Sequence, residues 1–298
     1  MEKLKVVGLM TLLTLLLVGL GQYVGGAGGS ALFFLIAMGM NVGMYWFSDK
    51  IVLKQYKAHI IQPGEEGGRF DALYQMVDRL RQSAGLPMPV VAVSEQGQPN
   101  AFATGRNPSH AVVCVTRGMW DLVASGQMTP EELEGVIAHE LGHIQKYHML
   151  VGTMAAGMAG AVMMIGNALQ WGAMFGFGGR DGERGSPLGL LVMAILAPIA
   201  ATVVQLMISR RNEFEADAAA AAISGKPLAL ARALEKIESI ATHRPMRVAQ
   251  TAAHLAIVNP LAGPGGIMGL FRTHPPTEDR VARLQELAAD QGIAWASR

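Results

Sequence analysis

His139-Glu140-Leu141-Gly142-His143 places two imidazoles and a carboxylate at a spacing suited to metal chemistry. On a helix, residues i and i+4 lie on one face, so both imidazoles can reach a single Zn²⁺. Glu140, beside the first histidine, is then placed to take a proton from a water held by that ion. The segment carries its own helix start. Thr129-Pro130-Glu131-Glu132 supplies a hydroxyl N-cap, a proline at the first helical position and acids in the first turn. Leu133, Val136, Ile137, Leu141 and Ile144 then recur at helical period. The pentapeptide therefore reads as a metal site on a real helix rather than a chance match.

A catalytic zinc takes three protein ligands and one water, and the third ligand need not be close in sequence. His148 lies five residues past His143. The extended zinc motif wants its third histidine one position later and a glycine midway, where this chain has Met149 and Lys146. His148 reads instead as a residue at the point where the helix meets a bilayer. A second source is Arg210-Arg211-Asn212-Glu213-Phe214-Glu215-Ala216-Asp217. There Glu213 and Asp217 share one helical face, while Glu215 points away. One carboxylate could bind the metal and the other hold a histidine tautomer. On spacing alone, a solvated charged helix start accounts for the pair equally well.

The elements that must position these groups are unusually apolar. Of 298 residues, 51% are hydrophobic and 16% charged, below the roughly 25% charge of soluble domains, which indicates a membrane protein. The net charge of +1 gives no electrostatic case for nucleic acid. The single cysteine, Cys114, excludes an intramolecular disulfide and sits in an apolar run as a packed strand thiol.

Four apolar stretches, about Val6 to Val24, Ala31 to Phe47, Met149 to Phe177 and Leu188 to Ile208, are each long enough for a hydrocarbon layer of about 30 Å. They form two pairs, the first joined by a glycine-rich turn from Gly25 to Ser30. Tyr45 and Trp46 suit a membrane interface. Lys3 and Lys5 before a leucine run also resemble a signal peptide, but the second apolar run follows at once, and an uncleaved hairpin is the better reading. Gly157, Gly160, Gly166 and Asn167 dilute the third stretch, for which buried core helices are the alternative. Lys3, Lys5, Lys50, Lys54, Lys57, Arg210 and Arg211 flank the spans on one side. The first connecting loop has no Lys or Arg, and the last offsets Arg180 and Arg184 with Asp181 and Glu183. The positive-inside rule then puts both termini and both large polar segments in the cytoplasm.

Those segments are expected to form one body. Helices are predicted at Asp71 to Gln82, Arg211 to Ser224, Pro227 to Ala241 and Thr277 to Ala289. Val90 to Val93 and Ala111 to Val115 read as strands. Gly225-Lys226-Pro227 and Asn259 to Gly269 read as loops. The organisation is thus a hairpin at 1–48, a catalytic part at 49–148, a second hairpin at 149–208 and a helical catalytic part at 209–298.

His139 to His143, the span hairpin, Ser209-Arg210, Glu213-Phe214-Glu215-Ala216-Asp217, Thr273-His274-Pro275-Pro276 and Asn100-Ala101-Phe102-Ala103-Thr104-Gly105 occur in this chain. Together they resemble the HtpX-like membrane zinc metalloproteases over nearly the whole length. The related CAAX prenyl endopeptidases share the zinc motifs but are longer, with more spans. Gly142 stands where serine is also found in the family. The resemblance implies that His139, His143 and Glu213 hold one Zn²⁺ and that Glu140 is the general base. It makes Asp217 a support for a ligand, with Arg280 assisting nearby. Asn100, Ala101, Phe102 and Ala103 would be an edge strand that pairs with substrate backbone, and His274 would donate to the oxyanion. The fold implied is mainly α, with four transmembrane helices in two hairpins and an α+β cytosolic protease domain of the gluzincin type. Substrates would be misfolded or damaged membrane proteins, in quality control and stress response at a bacterial inner membrane. The sequence does not give the oligomeric state.

Two rivals carry different expectations. A site-2 type intramembrane protease would bury the motif in a span, but Glu131, Glu132 and Glu134 precede it and Gln145-Lys146 follow. A catalytically inactive membrane scaffold would not need to retain the base, both histidines and a distant acid.

Overall fold

The structure is a computed structural model that describes residues 2–152, 154, 210–243 and 275–293. Helix α1 (Glu2–Gln55) is two arms joined at a break, where Gly25 has φ −144° and Gly26 φ 57°. Only glycine adopts the second value without steric cost. The arms fold back on each other. Asn41 Nδ2 donates to the Met10 carbonyl at 3.2 Å and to Thr14 Oγ1 at 3.0 Å. Gly21 and Gly29 meet backbone to backbone, so a Cβ on either would collide with the other.

Leu4–Gln22 and Gly25–Gln55 are each long and apolar enough to cross a membrane. Leu4, Leu15, Leu35, Phe34 and Val42 stand exposed on the outer faces. A continuous apolar surface of that kind suits lipid rather than water. The turn expected over Gly25 to Ser30 is confined to Gly25 and Gly26, and helix has resumed by Ala27. The second arm also continues past Phe47 to Gln55, because Val52 and the following Tyr56 are buried against the sheet. The third and fourth apolar stretches lie outside the described residues, apart from the start of the third. There Leu150, Val151 and Met154 pack with Val6, Leu13, Leu17 and Ala37.

The sheet contains β1 (Ala58–Ile60), β2 (Val90–Ser94), β3 (Ala101–Gly105) and β4 (Ala111–Thr116). Its order is β1-β2-β4-β3, with β2 and β4 parallel and the other pairs antiparallel. Side chains alternate between faces along a strand. Val91, Val93, Ala101, Ala103, Val113 and Val115 therefore join the helical core. Ala92, Phe102, Val112 and Cys114 pack on Val52 and Tyr56 at the end of α1. Both faces are covered, so the strands are apolar almost throughout. β1 was not anticipated from sequence, being only three residues long.

On the core face lie α2 (Asp71–Ser83), α3 (Arg117–Ala124) and α4 (Pro130–Gln145). α5 (Arg210–Ser224), α6 (Pro227–His243) and α7 (Thr277–Asp290) complete the described helices. α2 buries the expected Leu73, Met76, Val77 and Leu80. α4 runs through the centre and packs against α2, α5, α6 and β3. Its start is a capping box: Thr129 accepts from the Glu132 N–H and the Glu132 side chain accepts from the Thr129 N–H. Two of its acids, Glu132 and Glu134, are clamped rather than solvated. Glu132 pairs with Lys236 at 2.7 Å, and Glu134 pairs with Lys226 at 2.6 Å and with Arg79. The helix carrying the motif thus belongs to the sheet-and-helix body, not to either membrane arm.

Candidate metal centre and active site

Helical spacing puts His139 and His143 on the same face of α4, with their Nε2 atoms 3.1 Å apart. A third donor arrives on α5, and the close approach is set by small residues. A Cβ at Gly142 would press on the Ala216 backbone and the Ala219 side chain, so α5 crosses α4 nearly backbone to backbone. Glu213, one turn before Ala216, is thereby brought to both histidines. Its Oε2 lies 3.6 Å from His139 Nε2 and its Oε1 lies 3.6 Å from His143 Nε2. The donor atoms of His139, His143 and Glu213 all lie within 4.8 Å of one another, and these three could hold a metal ion. Tetrahedral zinc with bonds of about 2.0–2.1 Å separates its ligand atoms by roughly 3.3 Å. The observed separations bracket that value, and two imidazoles with one carboxylate are the donor chemistry of a catalytic zinc site. His139 and Glu213 are buried, whereas the His143 side chain keeps 16% of its surface.

Asp217, one turn after Glu213, reaches the far side of the first histidine, with Oδ1 2.9 Å from His139 Nδ1. Arg280 from α7 then forks onto Asp217: Nε donates to Oδ2 at 2.9 Å and Nη2 donates to Oδ1 at 2.7 Å. Its Nη1 lies 3.5 Å from Glu213 Oε2. Nη2 is also 3.3 Å from both ring nitrogens of His139, a position across the ring rather than in line with either lone pair. Arg280 is fully buried. Such a charge persists only when paired, and its own acidity is weakened further by Asp217, Glu213 and Glu140 despite burial.

Glu140 is buried beside the histidines, and its Oε2 accepts from the Ala103 N–H of β3 at 2.8 Å. Burial, with Glu213 adding, pushes its carboxyl up to about 7, against the lowering effects of His139, Ala103 and Arg280. Burial likewise presses the His143 imidazolium down to about 3, with His139 and His148 adding and Glu213 opposing. His143 is therefore a neutral donor. For His139, burial and Arg280 disfavour the charged ring, but Asp217 and Glu213 outweigh them and raise it to about 9. Burial also opposes the charge of Asp217, yet Arg280 and His139 hold its carboxyl below the ordinary range. Once His139 is neutral, the Asp217 and Glu213 carboxylates outnumber the one guanidinium and favour a cation, and at His139 a metal would displace a proton.

β3 is an edge strand, with Asn100 immediately before it and Ala101, Phe102 and Ala103 within it. All four are buried. Phe102 turns away from the histidines to stack on Tyr56, ring centres 4.4 Å apart. His274 lies outside the described residues. Two neighbouring side chains extend the site. His148 is buried, with its Nδ1 3.2 Å from His143 Nδ1. Glu215 stands apart from His139, His143 and Glu213, and its Oε2 is 3.6 Å from His148 Nε2.

Two histidines on a central helix, met by a glutamate from a crossing helix beside a mixed sheet, make this the architecture of a metallopeptidase. The sequence profile of peptidase family M48 matches residues 68–288, and the chain belongs to that family. It is similar to the Protease HtpX homolog of Gemmatimonas aurantiaca, 50% identical over 97% of this chain and 100% of that one. The Protease HtpX homolog of Desulfatibacillum aliphaticivorans is 49% identical over 98% of this chain and 92% of its own length. That of Pyrococcus furiosus is 47% identical over 96% of each. Among solved structures, S. mikatae Ste24p is 21% identical with a TM-score of 0.44, over 84% of this chain. This chain spans only 56% of that longer protein. The resemblance to the HtpX-like group holds, and the chain is a membrane metalloendopeptidase.

Proposed function

We propose that this metalloendopeptidase is zinc-dependent and cleaves misfolded or damaged membrane proteins on the cytosolic side of a bacterial inner membrane. The observation that carries the chemistry is the buried Glu140 carboxylate beside the His139, His143 and Glu213 donor set, anchored to the edge strand by Ala103. Those three residues would hold the ion. Bound there, zinc supplies Lewis acidity that polarises a scissile carbonyl and makes water easier to deprotonate. Glu140 takes the proton from the attacking water and passes it to the leaving amine. Asp217 fixes the His139 tautomer by accepting from Nδ1, and Arg280 keeps Asp217 ionised. Asn100, Ala101, Phe102 and Ala103 form the edge along which substrate backbone pairs, and His274 donates to the developing oxyanion.

Detergent-purified protein is expected to contain about one zinc per chain, as a three-ligand catalytic site implies. A strong chelator should stop peptide hydrolysis, and added Zn²⁺ should restore it. Hydrolysis that persists after metal is stripped would refute the metal mechanism.

The proposed topology has membrane hairpins at 1–48 and 149–208 and catalytic parts at 49–148 and 209–298. Its support is the lysine and arginine distribution. The native Cys114 is buried, so single added cysteines report cleanly. A cysteine at Ala27 should be labelled from the periplasmic side of intact cells, and one at Gln62, just past Lys57, should be protected. Labelling of Gln62→Cys from outside would overturn the cytosolic site and its substrate pool.

A further inference from the structure

The turn after α4 is unusual. Tyr147 has φ 61°, a left-handed backbone that a bulky side chain rarely takes and that tends to mark functional positions. It breaks the helix, which resumes at 148, and the break returns His148 to the side of His143. His148 Nδ1 lies 3.2 Å from His143 Nδ1, and His148 Nε2 lies 3.6 Å from Glu215 Oε2 on α5. Glu215 is in turn held by Arg211 Nε at 2.7 Å.

Protons can be arranged along this row in one way that leaves His143 able to bind a metal. With Nε2 turned to the ion, the proton of His143 sits on Nδ1. That N–H faces His148 Nδ1, which must accept, so the proton of His148 sits on Nε2 and faces the Glu215 carboxylate. A doubly protonated His148 would drive the proton of His143 onto Nε2 and block the metal. We propose that His148 is a positioning residue that accepts from His143 Nδ1–H and fixes the tautomer and ring orientation presented to the metal, with Glu215 orienting His148. The two histidines on α4 are then held alike, His139 by Asp217 and His143 by His148. This inference rests on the metal site proposed above.

Zinc affinity of the purified full-length protein, measured by competition with a chromophoric chelator, tests it without reference to activity. His148→Leu keeps bulk but no acceptor and is expected to bind Zn²⁺ about 10–100-fold more weakly, the usual cost of losing a ligand's hydrogen-bond partner. His148→Asn places its amide oxygen near the original Nδ1 and should recover most of the affinity. Glu215→Gln should weaken binding less than His148→Leu. Affinity unchanged in His148→Leu, or equally reduced in His148→Leu and His148→Asn, overturns the proposal. Should the leucine variant not fold, His148→Ala supplies the same contrast with His148→Asn, and equal affinities there overturn it too. Absence of Zn²⁺ binding by the unmutated protein would remove the metal site itself, a result distinct from these.

Discussion

Glutamine in place of Glu140 is expected to slow peptide hydrolysis by about 10²–10⁴-fold, the usual contribution of a positioned general base. Bound metal should remain, because the substitution touches none of His139, His143 or Glu213. Glutamine keeps the shape of the side chain and can still accept from Ala103 N–H, so the edge strand stays in place. What it loses is the ability to take a proton. The measurement is hydrolysis of a peptide or unfolded protein alongside metal content on the same preparation. Turnover near the unmutated rate would remove Glu140 from the mechanism. The carboxyl also sets a pH dependence. Burial raises it to about 7 in the metal-free site, and a nearby dication favours the ionised form. Activity should therefore fall with acidity through an inflection at or below about pH 7, as Glu140 gains the proton it must be free to accept.

Glu213→Gln is expected to abolish both metal retention and hydrolysis, the second large effect. A neutral amide at that position removes the only carboxylate of the donor trio, and with it the charge that spans His139 and His143 at 3.6 Å on either side. Asp217→Asn should cost less, about 10–100-fold in affinity or activity, because it loosens His139 without removing a donor. Glu215→Gln should cost least of the three, since it acts only through His148. Metal content and rate across the series decide the order. Equal tolerance at Glu213 and Glu215 would place the third donor elsewhere.

The local parts of the site were legible because helical geometry is a short-range property. The i, i+4 relation alone puts His139 with His143 and Glu213 with Asp217, and Thr129 with Glu132 announces the helix start. Short continuous runs of apolar, mostly β-branched residues likewise mark β2 and β4, and the apolar length of the first two stretches marks the hairpin arms. Other features were hidden for a physical reason. β1 is too short for a period to register, and its strand conformation depends on pairing with β2. His148 lies one residue beyond a left-handed turn at Tyr147, so helical periodicity from His143 gave no sign that the two rings would meet.

Spacing established that Glu213 and Asp217 share a face, but not which group each would meet. That was decided by the crossing of α5 over Gly142, where the lack of a side chain lets Ala216 approach and sets the reach of both carboxylates. Arg280, 63 residues from Asp217 in sequence, gains its partner only through the packing of α7 on α5. The contact between Ala103 and Glu140 likewise needs an edge strand to lie beside the central helix. The sequence by itself determined the helix faces that carry the candidate donors, because those follow from bonds and sterics within a few residues. Only the tertiary structure decided which faces meet, because that depends on backbone approach between segments far apart in the chain.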